Sequence, residues 1–98
     1  MTRREPHGAT AAIPPALMRE ARALLGLTQT AMGAVWGVGK QEVYRKECGD
    51  RPYTRVQVLA TIGALWVATW RDEHGLRGAY IDMADRLWRE VSETLPQN

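Results

Sequence analysis

Residues 27–49 read LTQTAMGAVWGVGKQEVYRKECG, and helix-boundary signals divide them into two short helices with a tight turn between. Thr28 can cap the first, with Leu27 and Met32 flanking the cap as a hydrophobic staple and Val35 and Trp36 completing the apolar side. Gly37 ends that helix. Gly39 opens the second, with Val38 and Val43 as staple and Glu42 at the third helical position, where a carboxylate suits the helix dipole. The second helix runs to about Glu47 and stops at Gly49. Its only large aliphatic residue is Val43, set among Lys40, Gln41, Glu42, Tyr44, Arg45 and Lys46. The spacing predicts a helix over about 28–36, a turn around Gly37 and a helix over about 40–47, with Gly33 where the two cross closely. This is a helix-turn-helix, whose second helix projects outward.

On the N-terminal side, Pro14 and Pro15 suit a helix start, and Leu17, Ala21, Leu24 and Leu25 recur at helical spacing until Gly26. Residues 1–13 have no apolar period and read as a flexible basic arm carrying Arg3 and Arg4. On the C-terminal side, Thr54 and Gln57 form a T-x-x-Q capping box flanked by the staple pair Tyr53 and Val58. The helix they open runs to about Arg71, with Val56, Leu59, Ile62, Gly63, Trp66, Val67 and Trp70 on a broad apolar face. After a charged connection over 72–78, a last helix sets Tyr80, Met83, Ala84, Leu87, Trp88 and Val91 on one side. Its other side pairs Asp82 with Arg86 and Asp85 with Arg89, acid four residues before base. With no strand alternation and no repeat, the expected fold is all-α with about five helices: an arm (1–13), a helix-turn-helix domain (14–71) and a C-terminal helix (72–98).

Composition narrows the function. The chain has 98 residues, 45% of them hydrophobic, which suffices for one small core. No apolar run reaches membrane-span length and the N-terminus lacks the apolar middle of a secretory signal, so a cytoplasmic protein is expected. Cys48 is the only cysteine, which excludes an internal disulfide and a Cys-x-x-Cys pair. His7 and His74 stand apart, Asp72-Glu73-His74 reads as a solvated loop, and no nucleophile pattern or phosphate loop is present. The expectation is no enzyme, no metal and no cofactor. Residues 1–55 hold nine Lys and Arg against five acids, whereas residues 56–98 hold four Arg against six. A basic front half points to a polyanion partner.

The run LGLTQTAMGAVWGVGKQEVYRKECGDRP resembles the Cro/C1-type (XRE) helix-turn-helix family. The likeness lies in Leu27-Thr28-Gln29, the small residue at 33, Gly37-Val38 at the turn, and Glu47-Cys48-Gly49 followed by Arg51-Pro52. It covers residues 15 to about 65. It implies that Lys40, Gln41 and Arg45, with Tyr44 beside them, meet base edges of double-stranded DNA. Arg and Lys suit guanine and Gln suits adenine. It also implies a phosphate contact from Gln29 at a helix start, with Thr28, and with Arg51, Tyr53, Thr54 and Arg55 as further candidates. Arg22 and Glu47 match an internal ion pair that ties the third helix to the first. Two positions depart from the family pattern. Lys46 replaces an apolar residue and is expected to lay its methylenes on the core with its charge in water. Gly33 replaces alanine, which is expected to weaken its helix by up to about 1 kcal/mol.

Trp66, Trp70, Leu87, Trp88 and Val91, with Val67 and Leu95, exceed what the underside of so small a domain can cover, and a homodimer interface is expected there. The sequence therefore reads as a DNA-binding regulator, a homodimeric repressor on a palindromic operator with no small-molecule effector. The alternative is a helix-turn-helix protein-interaction module, of adaptor or antitoxin type, that does not read DNA.

Overall fold

A computed structural model describes residues 9–72 and 74–94 of the chain. Arg3, Arg4, His7, Glu73 and Leu95 lie outside the described residues. Five helices follow in order: α1 (Pro15–Leu25), α2 (Gln29–Trp36), α3 (Lys40–Glu47), α4 (Arg55–Arg71) and α5 (Arg77–Ser92). The fold is all-α, and the helix limits agree with the cap signals to within a residue or two.

The caps account for that agreement. Thr28 Oγ1 accepts from the Ala31 amide at 3.1 Å. Thr54 and Gln57 bond reciprocally, side chain to backbone, at 3.1 Å each. Gly37 adopts φ 79°, a left-handed conformation that a side chain disfavours. It lets the Gly37 and Val38 amides fold back onto the Ala34 and Gly33 carbonyls. The same pair of bonds closes α1 beyond Gly26 and α3 beyond Gly49.

One short ladder was not expected. Thr10–Ala11 (β1) pairs antiparallel with Tyr53–Thr54 (β2), and the Arg55 amide donates to the Ala9 carbonyl at 2.9 Å. Part of the stretch read as a flexible arm is thus fixed, with Ala11 and Ile13 buried. Two residues per strand are too few to register as an alternation, so local pattern could not reveal it.

The core joins Leu17, Met18 and Ala21 of α1 to Val58, Ile62 and Leu65 of α4 and to Tyr80, Met83, Ala84, Leu87 and Val91 of α5. Leu87 and Val91 are each 0% exposed, so the two are core residues of one chain rather than dimer contacts. Thr61 and Thr69, also buried, donate to the Gln57 and Leu65 carbonyls of their own helix at 2.9 and 2.8 Å, which satisfies their hydroxyls.

Gly33 has a sharper reason than helix propensity. A Cβ built there would lie 2.6 Å from the Val38 carbonyl oxygen and 3.2 Å from Gly39 backbone atoms. The turn packs directly on the α2 backbone, and alanine has no room. Contrary to the propensity argument, Gly33→Ala is expected to destabilise the chain by about 1–3 kcal/mol, read as a lower urea midpoint at unchanged slope.

Candidate nucleic-acid interface

The site is built around one carboxylate. Glu47, in the last turn of α3 and 7% exposed, accepts from Arg22 Nε at 2.6 Å and Arg22 Nη2 at 3.1 Å, a two-point clamp from α1. Gln29 Nε2, from the first turn of α2, donates to the same carboxylate at 3.0 Å. Arg22 Nη1 also reaches the Leu27 carbonyl ahead of α2 at 3.0 Å, and Arg19 Nη1 holds the Glu47 carbonyl at 2.7 Å. Three helices therefore meet at one residue. The expected Arg22–Glu47 pair is present, and half-buried Gln29, the expected phosphate contact, gives its side-chain amide to the same carboxylate. Arg19 stands one turn before Arg22 on the same side of α1, a spacing from which its role could have been read.

A second knot neutralises the other acid of α3. Lys46 is 4% exposed, and its Nζ donates to the Pro52 carbonyl at 2.8 Å and pairs with Glu42 Oε2 at 3.2 Å. The expectation that its charge stays in water is corrected, because a carbonyl and a carboxylate replace the water. Arg51, half exposed, stands 3.6 Å from Glu42 Oε1. Both carboxylates of α3 are thus matched by cations.

What remains outward on α3 is Lys40, Gln41, Tyr44 and Arg45, all exposed. Their spacing along the helix places them on one face. Among the described residues, the side chains of Lys40, Gln41 and Arg45 make no hydrogen bond or ion pair within the chain. Tyr44 is 52% exposed, and the neighbouring Cys48 thiol holds its phenol above the usual range. It stays a neutral donor and acceptor. Beside this face, Thr28 is exposed at the start of α2, where amides point outward.

Three further phosphate candidates are corrected. Tyr53 is 1% exposed and packs edge-on against Trp36, with ring centroids 5.7 Å apart. The indole of Trp36 in turn donates to Thr61 Oγ1 at 3.0 Å. Thr54 is buried as the α4 cap. Arg55 turns back to the end of α5, bonding Thr94 through its hydroxyl at 3.1 Å and through its carbonyl. Polar residues at helix starts look alike in sequence, and only tertiary packing separates those that face out from those that are consumed. Of the tryptophans assigned to an interface, Trp66, Trp70 and Trp88 are 42%, 75% and 46% exposed. No group of three or more metal-binding side chains occurs among the described residues.

Comparison with protein-family models, with curated proteins and with solved structures finds no match to this chain.

Two outcomes follow from the buried polar groups. Glu47→Ala, which leaves Arg22, Gln29 and Arg19 without their common partner, is expected to cost about 3–5 kcal/mol in urea denaturation. Gln41→Ala on the open face should change stability by less than about 0.5 kcal/mol. The Tyr53 hydroxyl is buried without a partner among the described residues. Burial, and then the Glu47 charge, pushes its phenol well above the usual range. Because the folded-state value exceeds the unfolded one, its contribution is complete below about pH 10 and is lost as pH rises beyond that. Tyr53→Phe should match wild-type stability or exceed it by about 1 kcal/mol near neutrality, and should lessen the alkaline loss in urea titrations across that range.

Proposed function

We propose that the chain is a sequence-specific DNA-binding regulator that presents α3 to the major groove of double-stranded DNA. The observation that carries this reading is the contrast within α3. Glu42, Lys46 and Glu47 are spent on holding the helix, while Lys40, Gln41, Tyr44 and Arg45 are left open on one face. A helix held so firmly by its polar edge presents the remaining side chains with little freedom to lose, which favours recognition. Arg45 suits the two acceptors of guanine, Gln41 the acceptor and donor of adenine, and Lys40 guanine or phosphate. Thr28 with the amides of the α2 start, and Arg51, suit the flanking phosphates. With Glu42 and Glu47 matched by cations, Lys40 and Arg45 stand on the open face without an acidic partner, in keeping with the excess of cations in residues 1–55. The likeness of residues 15–65 to Cro/C1-type proteins agrees with this reading.

Among the described residues no helix is long and apolar enough to cross a membrane. The regulator works in the cytoplasm, on the nucleoid. It acts as a homodimer that reads two half-sites of a palindromic operator and represses by covering a promoter. The protein-interaction alternative draws on the exposed tryptophans, a surface distinct from α3, and DNA binding separates the two.

Selection from a random duplex pool should enrich one sequence family with two-fold symmetry. On the selected duplex, Arg45→Ala should lower affinity by about 1–3 kcal/mol, roughly 5- to 150-fold, and relax preference at one position. Arg51→Ala should weaken binding to all sequences alike and reduce the salt slope by about one. A pool that enriches nothing favours the interaction module.

A further inference from the structure

Among the described residues, much of the outward side of α4 is left uncovered. Between Arg55 and Arg71 the helix holds no charged residue. Val56, Leu59, Trp66, Val67 and Trp70 are 67%, 40%, 42%, 44% and 75% exposed, and their three- and four-residue spacing aligns them along one face. α5 handles its open side differently. There Arg89 pairs with Asp85 at 3.0 Å and Arg86 approaches Glu20 at 3.7 Å. A bare apolar face of several turns marks a contact with another molecule.

Gly63 stands in the middle of that face. A mid-helix glycine costs about 1 kcal/mol relative to alanine. Gly33 is repaid by the Val38 carbonyl packed where its Cβ would be, but a Cβ on Gly63 would meet nothing within 4 Å. The space it leaves opens outward, where a second backbone can approach.

We infer that the occupant is a second copy of this chain, with the two α4 helices antiparallel and crossing at Gly63. This rests on the dimeric reading proposed above and supplies its interface. A two-fold axis through Gly63 sets Trp66 opposite the partner's Ala60, Val67 opposite the partner's Leu59 and Trp70 opposite the partner's Val56. Each indole then faces a small side chain, and the bulk of one half fills the deficit of the other. A parallel pair would set Trp70 on Trp70 and leave a gap at Gly63, so the face is complementary to itself in one direction only. The size is adequate. Taking about 250 Å² for a whole tryptophan, Trp66 and Trp70 together expose about 290 Å² per chain. Two chains would then bury about 580 Å² from these indoles alone, near half of the roughly 1,200 Å² at which stable interfaces begin. Val56, Leu59 and Val67 add to this. A groove of about 360 Å³ between α4 and α5 borders the patch, with Trp66, Ile81 and Trp88 in its lining beside Asp82 and Asp85.

The test uses the full chain without DNA. Sedimentation should give twice the 11.0 kDa chain mass at micromolar concentration. Gly63→Glu should weaken association by at least about 100-fold while unfolding stays cooperative, because the position is open in the single chain. In a Cys48→Ser background, Gly63→Cys should oxidise to a linked dimer. Val56→Cys and Trp70→Cys should link when mixed, and Val56→Cys should not link to itself. A wild-type chain that stays monomeric to about 100 µM, a Gly63→Glu chain that still dimerises, or self-linked Val56→Cys would each overturn the pairing. The first result would leave the face to a different protein. A confirmed dimer that selects no DNA sequence would leave the pairing standing and remove only the DNA reading.

Discussion

The Glu47 carboxylate is the constraint on which the packing of α1, α2 and α3 depends. A charge at 7% exposure persists only with donors around it, and here they come from Arg22 on α1 and Gln29 on α2. α3 contributes little apolar surface of its own, since Val43 is the one large aliphatic it buries. Apolar contact alone would let so short a helix roll. Hydrogen bonds to a planar carboxylate are directional, and those around Glu47 fix how far α3 is rotated about its axis. The rotation decides which side chains face outward. Arg19 on the Glu47 carbonyl and Lys46 on the Pro52 carbonyl hold the end of the helix from two further sides.

The two halves of the molecule are assembled on different principles. Around α3 the holding forces are polar, short and matched donor to acceptor. Between α4 and α5 they are apolar, with Val58, Leu65, Leu87 and Val91 fully enclosed and threonine hydroxyls returned to their own helix. A polar knot specifies orientation, and an apolar seam supplies stability. Arg55 closes the apolar half at one end by tying the start of α4 to Thr94 just beyond α5.

Much of the fold was legible because its signals are local. A threonine cap or a closing glycine acts over four or five residues, and the limits of α2 and the starts of α3 and α4 followed from Thr28, Gly37, Gly39 and Thr54. The outward face of α3 was legible for a related reason, since a run with a single aliphatic can bury only one edge. The Arg22–Glu47 pair came from the family likeness, and geometry bears it out. What local pattern could not carry were partners far apart in the chain. Arg55 meets Thr94 across 39 positions, and Gln29 meets Glu47 across 18. Leu87, Trp88 and Val91 share one side of α5 in the sequence, yet only packing against α4 decides that Trp88 stays half exposed while its neighbours are enclosed. Tyr53 read both as a staple partner of Val58 and as a phosphate candidate, and only the tertiary contact with Trp36 decides for the buried role.

The contact of Gly33 with the Val38 carbonyl has a consequence for how such a protein can diversify. At its closest point the elbow between α2 and α3 is backbone against backbone. Substitution at positions 40, 41, 44 and 45 leaves that elbow untouched. If α3 reads a target as proposed, the reading side chains and the joint that aims them are separable inheritances: descendants of this sequence could exchange one target for another by altering a few exposed letters, with the elbow that presents them unchanged.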